Sequence, residues 1–362
     1  MKIKNFTCLF TMLLALSSQA QEKKFAVHTV AFYNIENFYD MKNDPNTRDD
    51  EWVYSKEYYT KKVHNIAKVI AQLGTGENPN APTIIGLAEV ENRYVLEDLV
   101  KDPQIINKDY GIVHFDSPDS RGIDCAFLYQ KKYFKLNSSS NIPLLITEAD
   151  TKTVSKPKKP EEDANDEKFD VDVVTKRIKT RDQILMSGYL DGEEMHFIVN
   201  HWPSRRGGEK ISSPLREKAA ALNVRIIDSL QRINPNAKIL TMGDLNDGPY
   251  NNSIKKVLNA KANKKDVPTL GIYNPMENMA NKGMGTLAYR DAWDIFDQIL
   301  MTEPLVRENY SSWHFWKAGI YNKQFMIQPD GRYKGYGLRN NAITPGFSDH
   351  FPVFVYLIKQ MK

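Results

Sequence analysis

The chain has 362 residues, 41% hydrophobic and 26% charged, a globular composition able to bury most of its apolar surface without staples. Its formal net charge is +4, too weak a field to imply nucleic-acid binding by bulk charge, so any electropositive surface must be local. After the first twenty residues no apolar run is long enough to span a bilayer.

The N-terminus carries Lys2 and Lys4, then the apolar run TCLFTMLLAL, then the small residues SSQA. Charge, apolar run and small residues in that order predict a signal peptide over residues 1–20, cleaved after Ala20, and export to the periplasm or beyond. Cys8 lies inside the apolar run, so the exported chain keeps only Cys125 and has no intramolecular disulfide. Cys125 sits in the apolar CAFLY and reads as a core residue.

Strand-like and helix-like segments then alternate. KFAVHTVAFYNI is rich in β-branched and aromatic residues and predicts a strand. YYTKKVHNIAKVIAQLG places Val63, Ile66, Ala67, Ile70 and Leu73 at helical spacing and ends on Gly74. TIIGLAEV is a buried-strand run, and IDCAFLY, QILMSGYL and MHFIVNHW follow, the last two joined by the hairpin signal DGEE. Thr147 to Lys168 is charged and nearly free of large apolar residues. It predicts a mobile surface insertion, with an interdomain linker as the alternative. SPLREKAAALNVRIIDSLQRI predicts a helix capped by Ser213 with Pro214 in its first turn. KILTMGDL, FDQILM and FPVFVYLI complete the strands, and the mixed order fits an α/β layered fold in one domain over residues 21–362.

Polar residues fall where apolar strands end: Asn34, Glu89, His201, Asp244 with Asn246, and Asp349 with His350. Strand tips are rigid and wet, and five of them bearing carboxylates, carboxamides and imidazoles point to one shared site. Glu89, Asp349 and Asn34 are an oxygen-ligand set for a hard cation such as Mg²⁺. The chain has neither a Cys cluster nor the His spacing of a zinc protease. Such a cation would bind a phosphoryl oxygen; His201 and His350 would bond phosphate or move protons, and Asp244 with Asn246 would orient an attacking water.

Those motifs, YNIENF, GLAEVEN, NHWPS, GDLNDGP, FDQIL and SDHFPV, run in order from about Phe32 to Phe354. They resemble the endonuclease/exonuclease/phosphatase superfamily, which includes DNase I and exonuclease III. NHWPSRRGGE is most similar to its secreted bacterial nucleases. The resemblance implies a four-layered α/β sandwich, two mixed sheets face to face with helices outside. It implies Glu89 as principal metal ligand, Asn34 beside the metal and Asp349 completing the site, with Mg²⁺ or Mn²⁺ bound. His350 resembles the family's terminal histidine, Asp297 its orienting carboxylate, and His201 the second histidine; Asp244 and Asn246 match the pair that orients the nucleophile. Arg181 looks like the arginine reaching a substrate phosphate, with Arg121 as a weaker match.

Taken singly, each residue has a blander reading: Asn34 a turn residue, Glu89 a surface acid with Glu91 as rival, Asp244 to Gly248 a turn. The basic loop SRRGGEKISSPLREK offers Arg205 and Arg206, with Lys210, Arg216 and Lys218, as contacts to a nucleic-acid backbone. Trp202 is either a base-stacking ring or core. WHFWKAGIYNKQFMIQPDGRYKGYG interleaves aromatics with basic residues, as a nucleic-acid wall or, more simply, a packed surface hairpin. DMKNDPNTRDDE lacks the Gly and final Glu of a calcium-binding EF-hand loop and reads as a loop, with Ca²⁺ a lesser option. The expected activity is a secreted nuclease, with a phosphatase or phospholipase-type enzyme as the rival and a non-catalytic binding module behind it. No stable protein partner is implied, and a monomer is expected.

Overall fold

The computed structural model describes residues 24–151 and 169–361. The expected signal peptide, and the part of the charged insertion from 152 to 168, lie outside the described residues. The described flanks of the insertion meet at isolated bridges, Thr147 with Arg177 and Val171 with Ile178.

Two six-stranded mixed sheets pack face to face. In the first, β1 (Phe25–Phe38) lies between β14 (Val353–Gln360), antiparallel, and β2 (Ile84–Val90), parallel. β4 (Asp124–Gln130) and β3 (Tyr110–His114) extend it on one side and β13 (His314–Ile320) on the other. In the second, β5 (Phe134–Ile142), β6 (Gln183–Leu190), β7 (Glu193–His201), β8 (Ile239–Asp244), β12 (Asp297–Thr302) and β9 (Ile272–Tyr273) lie in that order, while β10 (Leu287–Tyr289) and β11 (Ala292–Asp294) form a separate antiparallel pair. The β6–β7 turn has Asp191 at φ 46° and Gly192 at φ 83°, the left-handed pair that a two-residue hairpin needs.

The shared core includes Phe32, Phe127, Phe197, Met242, Ile299 and Val355. A fully buried side chain of this kind contributes about 1.5–3 kcal/mol. The sheets approach closely at Gly86, where a Cβ would stand 3.0 Å from both Met242 Sδ and Val199 Cγ2. Helix α1 (Lys56–Gln72) covers the outer face of the first sheet with Val63, Ile66, Ala67 and Ile70, its N-terminus capped by the Ser55 hydroxyl accepting from Tyr58 N–H. Helix α2 (Arg93–Leu99) packs beside it, and α3 (Glu209–Ile233) covers the second sheet. The result is the expected four-layered α/β sandwich.

Two elements differ from expectation. Helix α3 starts at Glu209 after Gly208, whose φ of 104° turns the chain without a side-chain cap, so Pro214 lies inside the helix. Ser213 is not the cap; its hydroxyl bonds Glu217 at 3.1 Å. An acidic residue in the first turn, Glu209, complements the helix dipole there. The aromatic stretch is not a hairpin: Trp313 just before edge strand β13 and Phe315 within it enter the core, and its last part holds Tyr333 and Tyr336 at the surface.

Candidate active site

The site is built at one end of the two sheets by strand register. Parallel pairing sets His201 beside Asp244, and antiparallel pairing sets Asp297 beside Asp244, so three polar residues stand on one rung of β7, β8 and β12. Gly243 permits this spacing, because a Cβ there would lie 2.3 Å from the Asn200 carbonyl oxygen. On the facing sheet Asn34 pairs with Ala88, and the register then shifts across Glu89. Glu89 is the extra residue of that bulge, with φ 64°. A left-handed backbone at a carboxylate is strain of about 1–3 kcal/mol, kept where a bulge re-aims a side chain.

Asp244 is the centre. Its Oδ2 accepts from Asn34 Nδ2 at 3.1 Å and lies 3.6 Å from His201 Nε2 and 3.8 Å from His350 Nε2. Its Oδ1 accepts from the Asn246 backbone N–H at 3.0 Å, and the Asn246 amide donates to Trp202 O at 3.0 Å. Glu89 Oε2 accepts from Asn37 N–H at 2.8 Å, while Oε1 has only a long bond, 3.4 Å, from Asn34. Asn34 Oδ1 accepts from Glu36 N–H, so its amide turns N–H rather than oxygen toward the two carboxylates.

The histidines differ sharply. His350 Nδ1 bonds Asp297 Oδ2 at 2.8 Å. Burial opposes charging this ring, but Asp297 and Asp244 more than offset it, and its pKa lies well above the ordinary value. Burial, then Arg181, Arg121 and His350, hold His201 well below it. Burial raises Asp244 to about 6, with His350 opposing the shift and Asp297 adding to it. Such divergent environments separate proton donor from acceptor in hydrolytic sites. His201 Nδ1 and Asp297 Oδ1 are buried without hydrogen-bond partners, the reverse of the rule that buried polar atoms are satisfied.

A cleft of about 210 Å³ opens over these groups, lined by Glu89, His201, Asp244, Asn246 and His350 together with Arg121, Lys179, Arg181 and Arg206. Arg181 is buried, with each of its three nitrogens bonded: Nη1 to Asp119 at 2.7 Å, Nη2 to Trp202 O at 2.7 Å, and Nε to His201 O at 3.2 Å. Arg121 has a looser contact with Asp119, 3.7 Å, and a partly exposed side chain. The structure thus leaves Arg121 the more accessible of the two.

Asp349 is placed differently from Glu89. Its Oδ2 bonds Arg339 at 2.8 Å, and it lines a neighbouring groove of about 480 Å³ with Tyr289, Arg332, Tyr333 and Tyr336. Arg205 is not in the cleft lining; it pairs with Glu209 (3.3 Å) and Asp294 (3.5 Å) and lies 4.4 Å over the Phe296 ring. Arg216 is buried against Asp247 at 2.6 Å, and Lys218 pairs with Asp150. Most of the basic loop therefore holds structure, and of its basic residues Arg206 reaches the cleft. Trp202 is core, and so is Cys125, whose thiol pKa burial pushes up. Lys179 and Asp119 were missed; TKRIKTRD, a basic cluster just before a strand, was the available signal for Lys179.

A profile of the Endonuclease/Exonuclease/phosphatase family matches residues 29–157 and 160–359. The chain belongs to this family. Family members hydrolyse phosphoric esters, and the converging carboxylates, imidazoles and arginines suit that chemistry. The fold is shared with a family protein of Bacteroides thetaiotaomicron, at 18% identity over 94% of this chain and 97% of that one, TM-score 0.52. It is also shared with a truncated TDP2 of Caenorhabditis elegans, at 16% identity over 91% and 97%, TM-score 0.52. A mannosyl-6-phosphatase of B. thetaiotaomicron aligns at 18% identity over 91% and 99%, TM-score 0.51. No curated protein matches the sequence.

Proposed function

We propose that this family member is an exported, divalent-metal-dependent phosphodiesterase acting on nucleic acid. The observation that carries the reading is the convergence of Asn34, His201 and His350 on one oxygen of Asp244, in a cleft that basic residues also line. Lys2, Lys4, the apolar run after them and the small residues before Gln21 support export.

Glu89 would hold Mg²⁺ or Mn²⁺ through Oε1, since such a cation keeps several waters and needs few protein oxygens. Asp349 would share it through the oxygen that Arg339 does not hold. When bound, the cation supplies charge neutralisation at a phosphoryl oxygen. Asp244 accepts a proton from the attacking water, and Asn246, fixed to Trp202 O, braces it. His350, held charged by Asp297, donates to a phosphate oxygen, and neutral His201 bonds another. Arg121, Lys179 and Arg206 face the phosphate. The groove of Tyr289, Tyr333 and Tyr336, with Arg332 over the Tyr333 ring at 5.6 Å, favours a substrate with stackable bases.

The small volume of the catalytic cleft favours one other reading, a phosphomonoesterase for a sugar or inositol phosphate. Purified protein should be incubated with plasmid DNA, RNA, phospholipid, inositol phosphates and a hexose phosphate, with and without chelator. Metal-dependent cleavage of nucleic acid is expected. Release of phosphate from monoesters alone would replace the nuclease reading, and no hydrolysis at all would remove both.

A further inference from the structure

One cluster beside the catalytic groups enters the chemistry above only through Arg206. Asp170, in the segment before β6, lines the catalytic cleft together with Ser120 and Arg206. Its Oδ2 accepts three bonds: from Arg48 Nη2 at 2.6 Å, from Ser120 Oγ at 2.7 Å and from Arg206 Nη1 at 3.3 Å. Arg48 Nη2 also donates to Ser120 Oγ at 3.0 Å. Burial opposes ionisation of Asp170, but Ser120, Arg48 and Arg206 outweigh it and hold its carboxyl below the ordinary range. An anion therefore stands among these donors at neutral pH.

Two guanidinium groups and a hydroxyl crowd onto a single carboxylate oxygen. A phosphate group offers the same donors more acceptor oxygens, and the planar fork of arginine matches it well. The walls do not depend on Asp170, because Arg48 N–H donates to Ser120 O at 2.8 Å and ties the loop between β1 and α1 to the segment before β4. The Asp170 backbone is itself held, its carbonyl oxygen accepting from Lys179 N–H at 2.7 Å. Rotation of one side chain would thus empty the pocket and leave its walls standing. The Arg48 side chain is 58% exposed, and ion pairs in such positions contribute little stability, so an exchange of carboxylate for phosphate costs little.

We propose that Arg48, Ser120 and Arg206 form a second phosphate subsite, for the backbone phosphate next to the scissile one, and that Asp170 fills it until nucleic acid displaces the carboxylate. The inference rests on the phosphodiesterase reading, which puts the scissile phosphate over Asp244 in the cleft that Ser120, Asp170 and Arg206 also line. Such a subsite selects chains with consecutive phosphates over esters that carry one. Asp170 sets a threshold, since an anion that binds the arginines no better than a carboxylate stays out.

Fluorescence anisotropy of a labelled single-stranded oligothymidylate, in chelator so that nothing is cleaved, tests this without turnover. Asp170→Asn should tighten binding severalfold, because the internal competitor loses its charge. Arg48→Ala should weaken binding and lower the slope of log affinity against log salt by about 1, as loss of one phosphate contact does. Opposite signs in the two variants, each with a native circular-dichroism spectrum, are the expected result. An ion pair that only clips the segment in place predicts shifts of the same sign or none, and either outcome would overturn the subsite. Asp172→Asn removes the same charge outside the cleft lining and should bind as the wild type does; a gain equal to that of Asp170→Asn would reduce the effect to general repulsion and overturn the proposal. Metal-dependent cleavage of thymidylyl-thymidine by the wild type, assayed alongside, reports on the phosphodiesterase reading separately. Cleavage without opposite binding shifts removes the subsite alone, and opposite shifts without cleavage keep a phosphate subsite and remove that reading.

Discussion

The two histidines that flank Asp244 have the same chemistry and opposite surroundings. His350 leans on Asp297, so a charged ring is stabilised in a place where burial alone would neutralise it. His201 has no partner on its Nδ1, and burial first, then the nearby Arg181 and Arg121, keep its ring neutral. Position in the sheets makes the difference: His201 shares a rung with Asp244, whereas His350 arrives from the segment before β14 and meets Asp297 across the gap between sheets. A site thus gains one proton donor and one neutral hydrogen-bonding group from two identical side chains.

Breaking the charged side should have the largest effect. His350→Ala is expected to lower kcat by about 10² to 10⁴, the usual range for a positioned proton donor, in a metal-supplemented steady-state assay. Wild-type turnover would place the proton elsewhere. Asp297→Asn leaves the ring in place but removes its counter-charge, and a smaller loss, about 10- to 100-fold as for other outer-shell partners, should come with an altered pH profile. An unchanged profile would mean that Asp297 only packs against the ring.

Asp244 sharpens the comparison through pH. With its pKa raised to about 6, activity should fall as pH drops below that value, because the proton acceptor fills. The effect on stability has the opposite sign. A folded pKa above the ordinary one contributes stability that is complete at low pH and lost as pH rises through about 6. In chelator, Asp244→Asn should therefore raise Tm near pH ~8 and leave it unchanged near pH ~4. Melting curves at both values check the sign, and a gain at low pH alone would contradict it.

The smallest effects concern the basic residues. Arg206→Ala should raise KM for a phosphate ester with kcat nearly unchanged, whereas Arg205→Ala should act on stability, through Glu209, Asp294 and Phe296. Initial-rate kinetics and thermal melts on the pair would separate them; the same KM shift in both would show that Arg205 also reaches substrate.

Much of the fold was legible because buried parallel strands read as apolar runs and α1 keeps a clean helical period. The strand-end rule named His201, Asp244 and His350 for the same reason: an apolar run that stops at a polar residue marks where a strand leaves the core. The start of α3 was misread, since Gly208 turns the chain by backbone conformation and leaves no side-chain cap to recognise. Arg205 and Arg206 are adjacent in sequence and alike in chemistry, yet one packs on Phe296 and the other lines the cleft.

By itself, then, the sequence determined which residues stand at strand tips, because hydrophobic alternation is a local property that burial reads directly. Tertiary structure alone decided what each tip does. Register across β7, β8 and β12 made Asp244 the centre, and the approach of the first sheet brought Asn34 and Glu89 toward it. It also bound Asp349 to Arg339 and engaged Arg181 in the frame. Charge state and accessibility depend on neighbours distant along the chain, and no local pattern encodes them.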